Sequence, residues 1–331
     1  MFPYLFDSSW IGLDGDLHFR LPTYFVTIML GWGLAVWLAY RDARRLGIER
    51  AKFLDFALWM LIIGVLGARI AHVVLDGFLM DYVHLCTDPF LVEGKPLSGG
   101  AACVANAECL ALQDRGQDIG AVCNVGDGLC YPQQDCFRWL KFWAGGLTVY
   151  GALIGCVVAG WWYMRKHALP VRKIMDMGGY GIPLGIAVGR LGCFAAGCCY
   201  GDVCHVDWLA VQFPTGTAAY QDHFLNHYDA LNTQWQAGVE ASLPVWPTQL
   251  FSSGYNFAIF AVAYFVVRPR KRYDGQVLLT TVFLYAVCRF VVEFFRADPR
   301  GALLGLSTSQ LIALGTVAAA GLMLWRLRAE R

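Results

Sequence analysis

Apolar positions along this chain gather into long unbroken blocks instead of alternating with polar ones. Seven blocks stand out, at about residues 22–40, 53–76, 144–164, 174–198, 248–267, 276–296 and 306–325. Each reaches or approaches the roughly 20 residues that cross about 30 Å of hydrocarbon as a helix. None shows short alternating segments separated by turn residues, which argues against a closed barrel. Seven such blocks also exceed what one soluble core hides. The pattern predicts an all-α, polytopic membrane protein with about seven transmembrane helices.

Composition agrees. The 331 residues are 57% hydrophobic and only 15% charged, against roughly 25% charged in soluble domains. Charge placement gives the orientation through the positive-inside rule. Residues 41–52, 165–173, 268–273 and the tail after 325 hold 16 of the 26 Lys and Arg. The opposite connections hold six (Arg20, Lys95, Arg115, Arg138, Lys141 and Arg300), and the remaining four fall inside apolar blocks. The N-terminus is therefore expected outside and the C-terminus in the cytoplasm. The first 21 residues lack a basic segment followed by an apolar one, so no cleavable signal peptide is expected. A net charge of +1 suggests no nucleic-acid partner.

The twelve cysteines fall into two equal groups. Cys86, Cys103, Cys109, Cys123, Cys130 and Cys136 lie in 77–142, a polar stretch on the outer side by the charge count. An even set in an oxidising space reads as a disulfide framework, with fifteen possible pairings. Zinc is the alternative, but CxxC pairs are missing. This stretch is expected to be an external disulfide-rich insertion. Cys156 and Cys288 fall within apolar blocks and read as packing residues. Cys193, Cys198, Cys199 and Cys204 gather at the outer end of the fourth block. Two disulfides, or packing plus one disulfide, are expected there, with a reactive thiol or metal role as the alternative.

Ionisable side chains at bilayer depth are costly and face the bundle interior. The second block carries Arg69, His72 and Asp76, the fourth Arg190 with Cys193 and Gly197, and the sixth Tyr285, Arg289 and Glu293, followed by Arg296. At these spacings each set shares one helix stripe. Ion pairing such as Arg289 with Glu293 is the plain reading. Yet arginines outnumber the nearby acids, and a guanidinium fork suits phosphate oxygens. The phosphate at hand in a membrane is a phospholipid headgroup. Gly181, Gly185 and Gly189 recur every four residues, which suits close helix packing. Gly192, Gly197 and Gly201 continue past Arg190 and could leave room for a lipid.

These residues resemble one family. The string G-R-L-G-C-F-A-A-G-C-C-Y-G at 189–201 is similar to the G-R-x-G-N-F-x-N-G-E-x-x-G signature of the prolipoprotein diacylglyceryl transferases. W-A-G-G-L-T-V-Y-G-A-L-I-G at 143–155 and P-T-Q-L-F at 247–251 are similar to its G-G-x-x-x-H-G-G-L-I-G and H-P-S/T-Q-L-Y-E segments. Tyr285 to Asp298, Arg69 in G-A-R-I-A, and Tyr24 with the following G-W-G-L-A-V-W-L-A resemble further family helices. The resemblance covers nearly all of the chain except the insertion.

The family moves the diacylglyceryl group of phosphatidylglycerol onto a lipobox cysteine thiol of a preprolipoprotein, without cofactor or metal, at the bacterial inner (cytoplasmic) membrane. The resemblance implies one multi-pass transferase-like domain over 1–331, with phosphatidylglycerol and the preprolipoprotein signal segment as partners. It implies that Arg190, Arg289, Tyr150 and Tyr24 carry the chemistry. Arg69, Tyr285, Glu293, Arg296, Gly197, Gly201 and Gln249 would shape the substrate site.

Departures are specific. The family's histidine is Tyr150 here, its asparagine Cys193, and its N-G-E becomes Ala196-Gly197-Cys198. Trp246 replaces the histidine before P-S/T-Q, and Ser252 the glutamate after L-Y. A tyrosine, with pKa near about 10, is a poor base at neutral pH. A noncatalytic lipid- or lipoprotein-binding relative and a membrane thiol-redox protein are therefore the competing readings. The external segment 199–246 has no Lys or Arg, but carries Trp208, Phe213, Tyr220, Phe224, Tyr228 and Trp235. It is expected to be a solvated loop, or a small head that meets the apolar segment of an incoming protein.

Overall fold

The computed structural model describes residues 4–7, 20–97, 101–114, 120–141, 146–296, 302–303 and 305–329. Arg115, Trp143, Ala144, Gly145, Asp298, Arg300 and Arg331, named above, lie outside the described residues, as does most of the segment before Arg20. In chain order the helices are α1 (Thr23–Arg45), α2 (Arg50–Leu75), α3 (Leu79–Thr87), α4 (Asn106–Asp114), α5 (Val149–Lys166) and α6 (Val171–Ala196). They continue with α7 (Ala218–Asn226), α8 (Tyr228–Gln236), α9 (Thr248–Arg270), α10 (Gln276–Val292) and α11 (Thr308–Ala329).

Among the described residues, six helices are long and apolar enough to cross a membrane: α1, α2, α6, α9, α10 and α11. The seventh expected span supplies α5. It begins at Val149, after the non-helical residues 146–148, and closes on Trp161, Trp162, Tyr163, Arg165 and Lys166, a polar and aromatic end that leaves it outside the six. The all-α expectation holds. β-structure among the described residues is confined to two-stranded pieces and isolated bridges.

The chain forms two compact units. The first comprises Met1–Ile48, Pro170–Ala219 and Ala241–Arg331. Here α6 packs against α1, α9 and α10, and α10 packs against α11. The glycine repeat of α6 lies against α1. A Cβ on Gly31 would stand 2.9 Å from the Gly185 carbonyl oxygen, and one on Gly181 would meet Ala35. The two backbones thus approach through small residues, as the spacing implied.

At the basic end of this unit two carboxylates tie helices together. Asp42 accepts hydrogen bonds from Tyr180 Oη at 2.8 Å and Arg268 Nε at 2.7 Å. Asp176, buried on α6, caps the start of α10. It accepts from Gly275 N (3.0 Å), Val277 N (2.9 Å) and Leu278 N (3.3 Å), and pairs with Lys271 Nζ at 2.8 Å. The first N–H groups of a helix have no partner within it, and here a neighbouring helix supplies one.

The second unit comprises Glu49–Leu169 and Tyr220–Glu240. In it α2 packs on α5, with Gly67 and Gly151 at the closest approach. The insertion holds the expected disulfide framework, and its six cysteines pair as Cys86–Cys136, Cys103–Cys123 and Cys109–Cys130. Val122–Asn124 and Leu129–Tyr131 form a hairpin, and buried cystines are its core. A segment this small lacks the apolar bulk to fold by burial alone.

The stretch 199–246 divides between the units: 199–219 and 241–246 belong to the first, 220–240 to the second. In the second, Tyr220, Phe224, Tyr228 and Trp235 meet in one cluster with ring centroids 5.8–6.2 Å apart. Phe213, Tyr220 and Phe224 are buried, whereas Trp208 is 82% exposed. Most of these aromatics therefore serve packing.

Candidate functional site

The first unit brings together the end of α6, the loop that follows it, and residues of α1, α9 and α10. Helix α6 stops at Gly197, which takes the left-handed conformation at φ 66°. Gly197 N bonds Phe194 O at 3.2 Å and Cys198 N bonds Cys193 O at 3.1 Å, the paired bonds of a Schellman stop. Cys199 also sits at positive φ, 58°, a strained conformation for a residue with a Cβ. Two fully buried side chains of α9 hold this turn from beside it. Gln249 Nε2 donates to Cys198 O and Thr248 Oγ1 to Cys199 O, each at 2.8 Å.

Beyond the turn, Gly201 bridges to Arg296, with Gly201 N on Trp246 O at 2.9 Å and Asp202 N on Phe295 O at 3.0 Å. A Cβ at Gly201 would lie 2.3 Å from Phe295 O, and one at Gly197 would lie 2.6 Å from Thr217 Cβ. The room expected for a lipid at these two glycines is filled by the chain itself. They set close backbone packing.

The charged residues differ from one another. Arg289 Nη1 lies 2.5 Å from Glu293 Oε2, so the ion pair that the i, i+4 spacing allowed is formed. Ser307 Oγ donates to Glu293 Oε1 at 2.9 Å. Arg190 has neither a hydrogen bond nor an ion pair among the described residues. Its electrostatic neighbours are Cys199, Cys193, Tyr285 and Tyr255. Tyr255 and Tyr285 meet edge to face at 6.0 Å, and Tyr255 interacts with both Arg190 and Arg289. Tyr24, on α1, is a neighbour of Arg190 and of Cys193, Cys198 and Cys199.

Tyr255 was missed in the sequence. Its signal was there, since Thr248, Ser252 and Tyr255 stand at i, i+4, i+7 and share a face of α9. Cys193, Cys198, Cys199 and Cys204 are all free thiols, so the expected disulfides do not form among them. The sulfurs of the first three lie within 4.8 Å of one another. They are the residues here able to hold a metal ion.

Arg69 and Tyr150 belong to the second unit. Arg69 is buried, and donates to Trp139 O at 2.7 Å, Gly146 O at 2.9 Å and Arg138 O at 2.6 Å, with its guanidinium over the Tyr82 ring. Its neighbours on the stripe extend the same support: Asp76 Oδ2 accepts from Thr148 Oγ1 at 2.5 Å and lies 3.1 Å from His72 Nδ1. The stripe thus holds the connection into α5. Tyr150, in the first turn of that helix, is exposed.

A bundle of apolar helices, with a guanidinium that has no carboxylate partner among the described residues and tyrosines as its neighbours, defines the class: a polytopic membrane protein. Comparison with known sequences is specific about which. The sequence profile described as "Prolipoprotein diacylglyceryl transferase" matches residues 15–125 and 119–326, and the chain belongs to that family. It is 32% identical over 178 residues to a phosphatidylglycerol–prolipoprotein diacylglyceryl transferase of Clostridium tetani, covering 54% of this chain and 63% of that one. A protein of the same name from Xylella fastidiosa is 29% identical over 204 residues, covering 58% and 66%. One from Neisseria meningitidis is 35% identical over 192 residues, covering 54% and 65%. The chain thus spans just under two thirds of the length of these curated relatives.

Proposed function

We propose that this protein transfers the diacylglyceryl group of phosphatidylglycerol to the lipobox cysteine thiol of a preprolipoprotein. The acceptor sulfur attacks the glycerol carbon, the carbon–oxygen bond to phosphate breaks, a thioether forms, and glycerol phosphate leaves with the electron pair. The thiol proton passes to solvent or a nearby base. Arg190 carries the reading, because a guanidinium with no carboxylate partner among the described residues meets the charge that grows on the departing phosphate. Arg289, steered by Glu293, adds a second cation. Tyr24, Tyr255 and Tyr285 offer hydroxyls to the headgroup, while Gln249 holds the turn and Arg296 lies beside it. In the second unit Arg69 fixes the connection into α5, where Tyr150 takes the place of the family's histidine.

The protein lies in the inner membrane with its N-terminus outside and its C-terminus in the cytoplasm. Basic residues at the ends of α1, α5, α9 and α11 support this, as do three disulfides in the insertion. Reporter fusions near Arg44, Lys166 and Arg270 should behave as cytoplasmic and one near residue 90 as external; the reverse pattern would overturn the orientation. For the chemistry, purified protein is incubated with phosphatidylglycerol and a lipobox peptide, and mass spectrometry seeks the thioether. Its absence, with lipid binding intact, favours a lipid-binding relative without transfer. The thiols at 193 and 198, in place of the family's Asn and Glu, and the tyrosine at 150 motivate that second reading.

A further inference from the structure

We infer that Cys193, Cys198 and Cys199 form a binding site for one thiophilic monovalent ion, Cu(I), held by three thiolates. The three residues come from different places in the local chain: the last turn of α6, the position after its glycine stop, and the strained residue beyond. Their sulfurs nevertheless converge within 4.8 Å of one another. Metal–sulfur bonds of about 2.3 Å place ligand sulfurs roughly 4 Å apart, so a shift of a few tenths of an ångström closes the cluster on an ion.

The arrangement is held from outside. The Schellman stop aligns Cys198 over Cys193. Thr248 and Gln249, both buried, fix the carbonyls of Cys199 and Cys198. Cys199 keeps a positive φ, and strain of this kind persists where surroundings impose it. Arg190 and Arg296 stand as cationic neighbours of Cys199. The thiolate is the ligating form.

Ligand number selects the ion. Among the described residues no His, Asp or Glu joins this group. Soft thiolates select Cu(I), zinc and iron–sulfur clusters. Structural zinc takes four protein ligands and catalytic zinc keeps a water as its fourth, iron–sulfur clusters take four cysteines, and three sulfurs without a fourth ligand therefore favour Cu(I). Charge agrees, because a Cu(I) trithiolate carries two negative charges and has Arg190 and Arg296 as electrostatic neighbours. The other converging trio, Cys103, Cys109 and Cys123, is committed to disulfides and offers no thiolate.

The test uses the full chain in detergent with its disulfides intact, titrated anaerobically with Cu(I) against a chromophoric Cu(I) chelator. One equivalent should bind, and Cys193→Ser or Cys199→Ser should remove it, while Cys156→Ser and Cys288→Ser retain it. A melting measurement accompanies each variant. If the serine variants fail to fold, the unaltered chain still decides: Cu(I) should protect Cys193, Cys198 and Cys199 from alkylation, read by peptide mass spectrometry, and leave Cys156 and Cys288 unchanged. Failure to bind Cu(I), binding of zinc in its place, or retention of the equivalent in a folded Cys199→Ser variant would overturn the inference.

Discussion

Replacing Arg190 is the sharpest test of the proposed transferase site, because the two arginines of the first unit differ in a measurable respect. Arg289 already faces the Glu293 carboxylate at 2.5 Å, whereas Arg190 has tyrosines and thiols as its neighbours. A phosphate gripped by the Arg190 fork gains two charge-assisted hydrogen bonds, each worth about 1.5–3 kcal/mol. Arg190→Ala removes both, about 3–6 kcal/mol in all. At about 1.4 kcal/mol per factor of ten, kcat/KM should fall by roughly 100-fold to 10,000-fold. Arg190→Lys keeps the charge and loses the fork, so it should recover only part of this. Arg289→Lys should cost less, on the order of 10-fold, since that charge is already balanced within its helix.

The assay is the initial rate of thioether formation across a range of phosphatidylglycerol concentrations, with a melting curve for each variant. Separating kcat from KM adds a second reading. An arginine that grips the resting headgroup raises KM when lost. One that meets charge developing on the leaving phosphate lowers kcat. A folded Arg190→Ala variant within about threefold of the parent in kcat/KM refutes the assignment, whatever Arg289 does.

Asp176→Ala strips the Gly275, Val277 and Leu278 N–H groups and Lys271 of a shared acceptor, and should destabilise the detergent-solubilised protein by about 3–5 kcal/mol; a loss below about 1 kcal/mol in a denaturation midpoint series would argue against it. Gly185→Leu pushes a side chain towards α1 at the Gly31 crossing and should lower the melting temperature, whereas Gly254→Leu, with open space around it, should not; equal melting of the two variants would contradict the packing account. In the insertion, the Tyr131 hydroxyl holds the Asp127 carboxyl below its usual range, and Lys141 does the same for Asp135. Their contribution is complete above the unfolded value near about 4 and is lost as pH falls through the lower folded values. Hydrogen exchange of the hairpin, corrected for intrinsic rates, should therefore stay level from about pH 7 to 5 and quicken below about pH 3; quickening at pH 5 would refute the sign.

Apolar blocks were legible as helices because a membrane span needs nothing beyond length and composition to declare itself. Gly181 and Gly185 were legible for a related reason: a four-residue repeat puts small residues on one face whatever helix comes to meet it. Arg69 was half legible. Its stripe with His72 and Asp76 marked an inward face, but the carbonyls of Arg138, Trp139 and Gly146 lie some 70 residues on, and no local pattern announces such partners. Gly197 and Gly201 read as open space because a missing side chain looks the same whether lipid, Thr217 or Phe295 fills the gap. The disulfide pairing was closed to a one-dimensional reading for the same reason. Spacing says that six cysteines are even in number, while only the hairpin register puts Cys123 opposite Cys130 and each within reach of a different partner.

The free thiols at 193, 198 and 199 bear on the lipid reaction as well as on metal binding. Arg190 is an electrostatic neighbour of Cys199 and Cys193, so one guanidinium serves both a thiolate cluster and the proposed phosphate. In a low-dielectric site an unbalanced guanidinium attracts whichever anion reaches it. A Cu(I) trithiolate supplies that anion permanently, and a headgroup phosphate then meets a cation already balanced. Linkage makes the effect reciprocal, because an ion that weakens lipid binding is itself bound more weakly when lipid is present. Cu(I) loading should therefore raise the phosphatidylglycerol concentration needed for half-saturation. Lipid vesicles should lower Cu(I) affinity by the same factor, and Arg190→Ala should abolish both effects while leaving the single Cu(I) equivalent in place. Equal Cu(I) affinity with and without phosphatidylglycerol, in a protein that binds each alone, would show that the two sites share no charge.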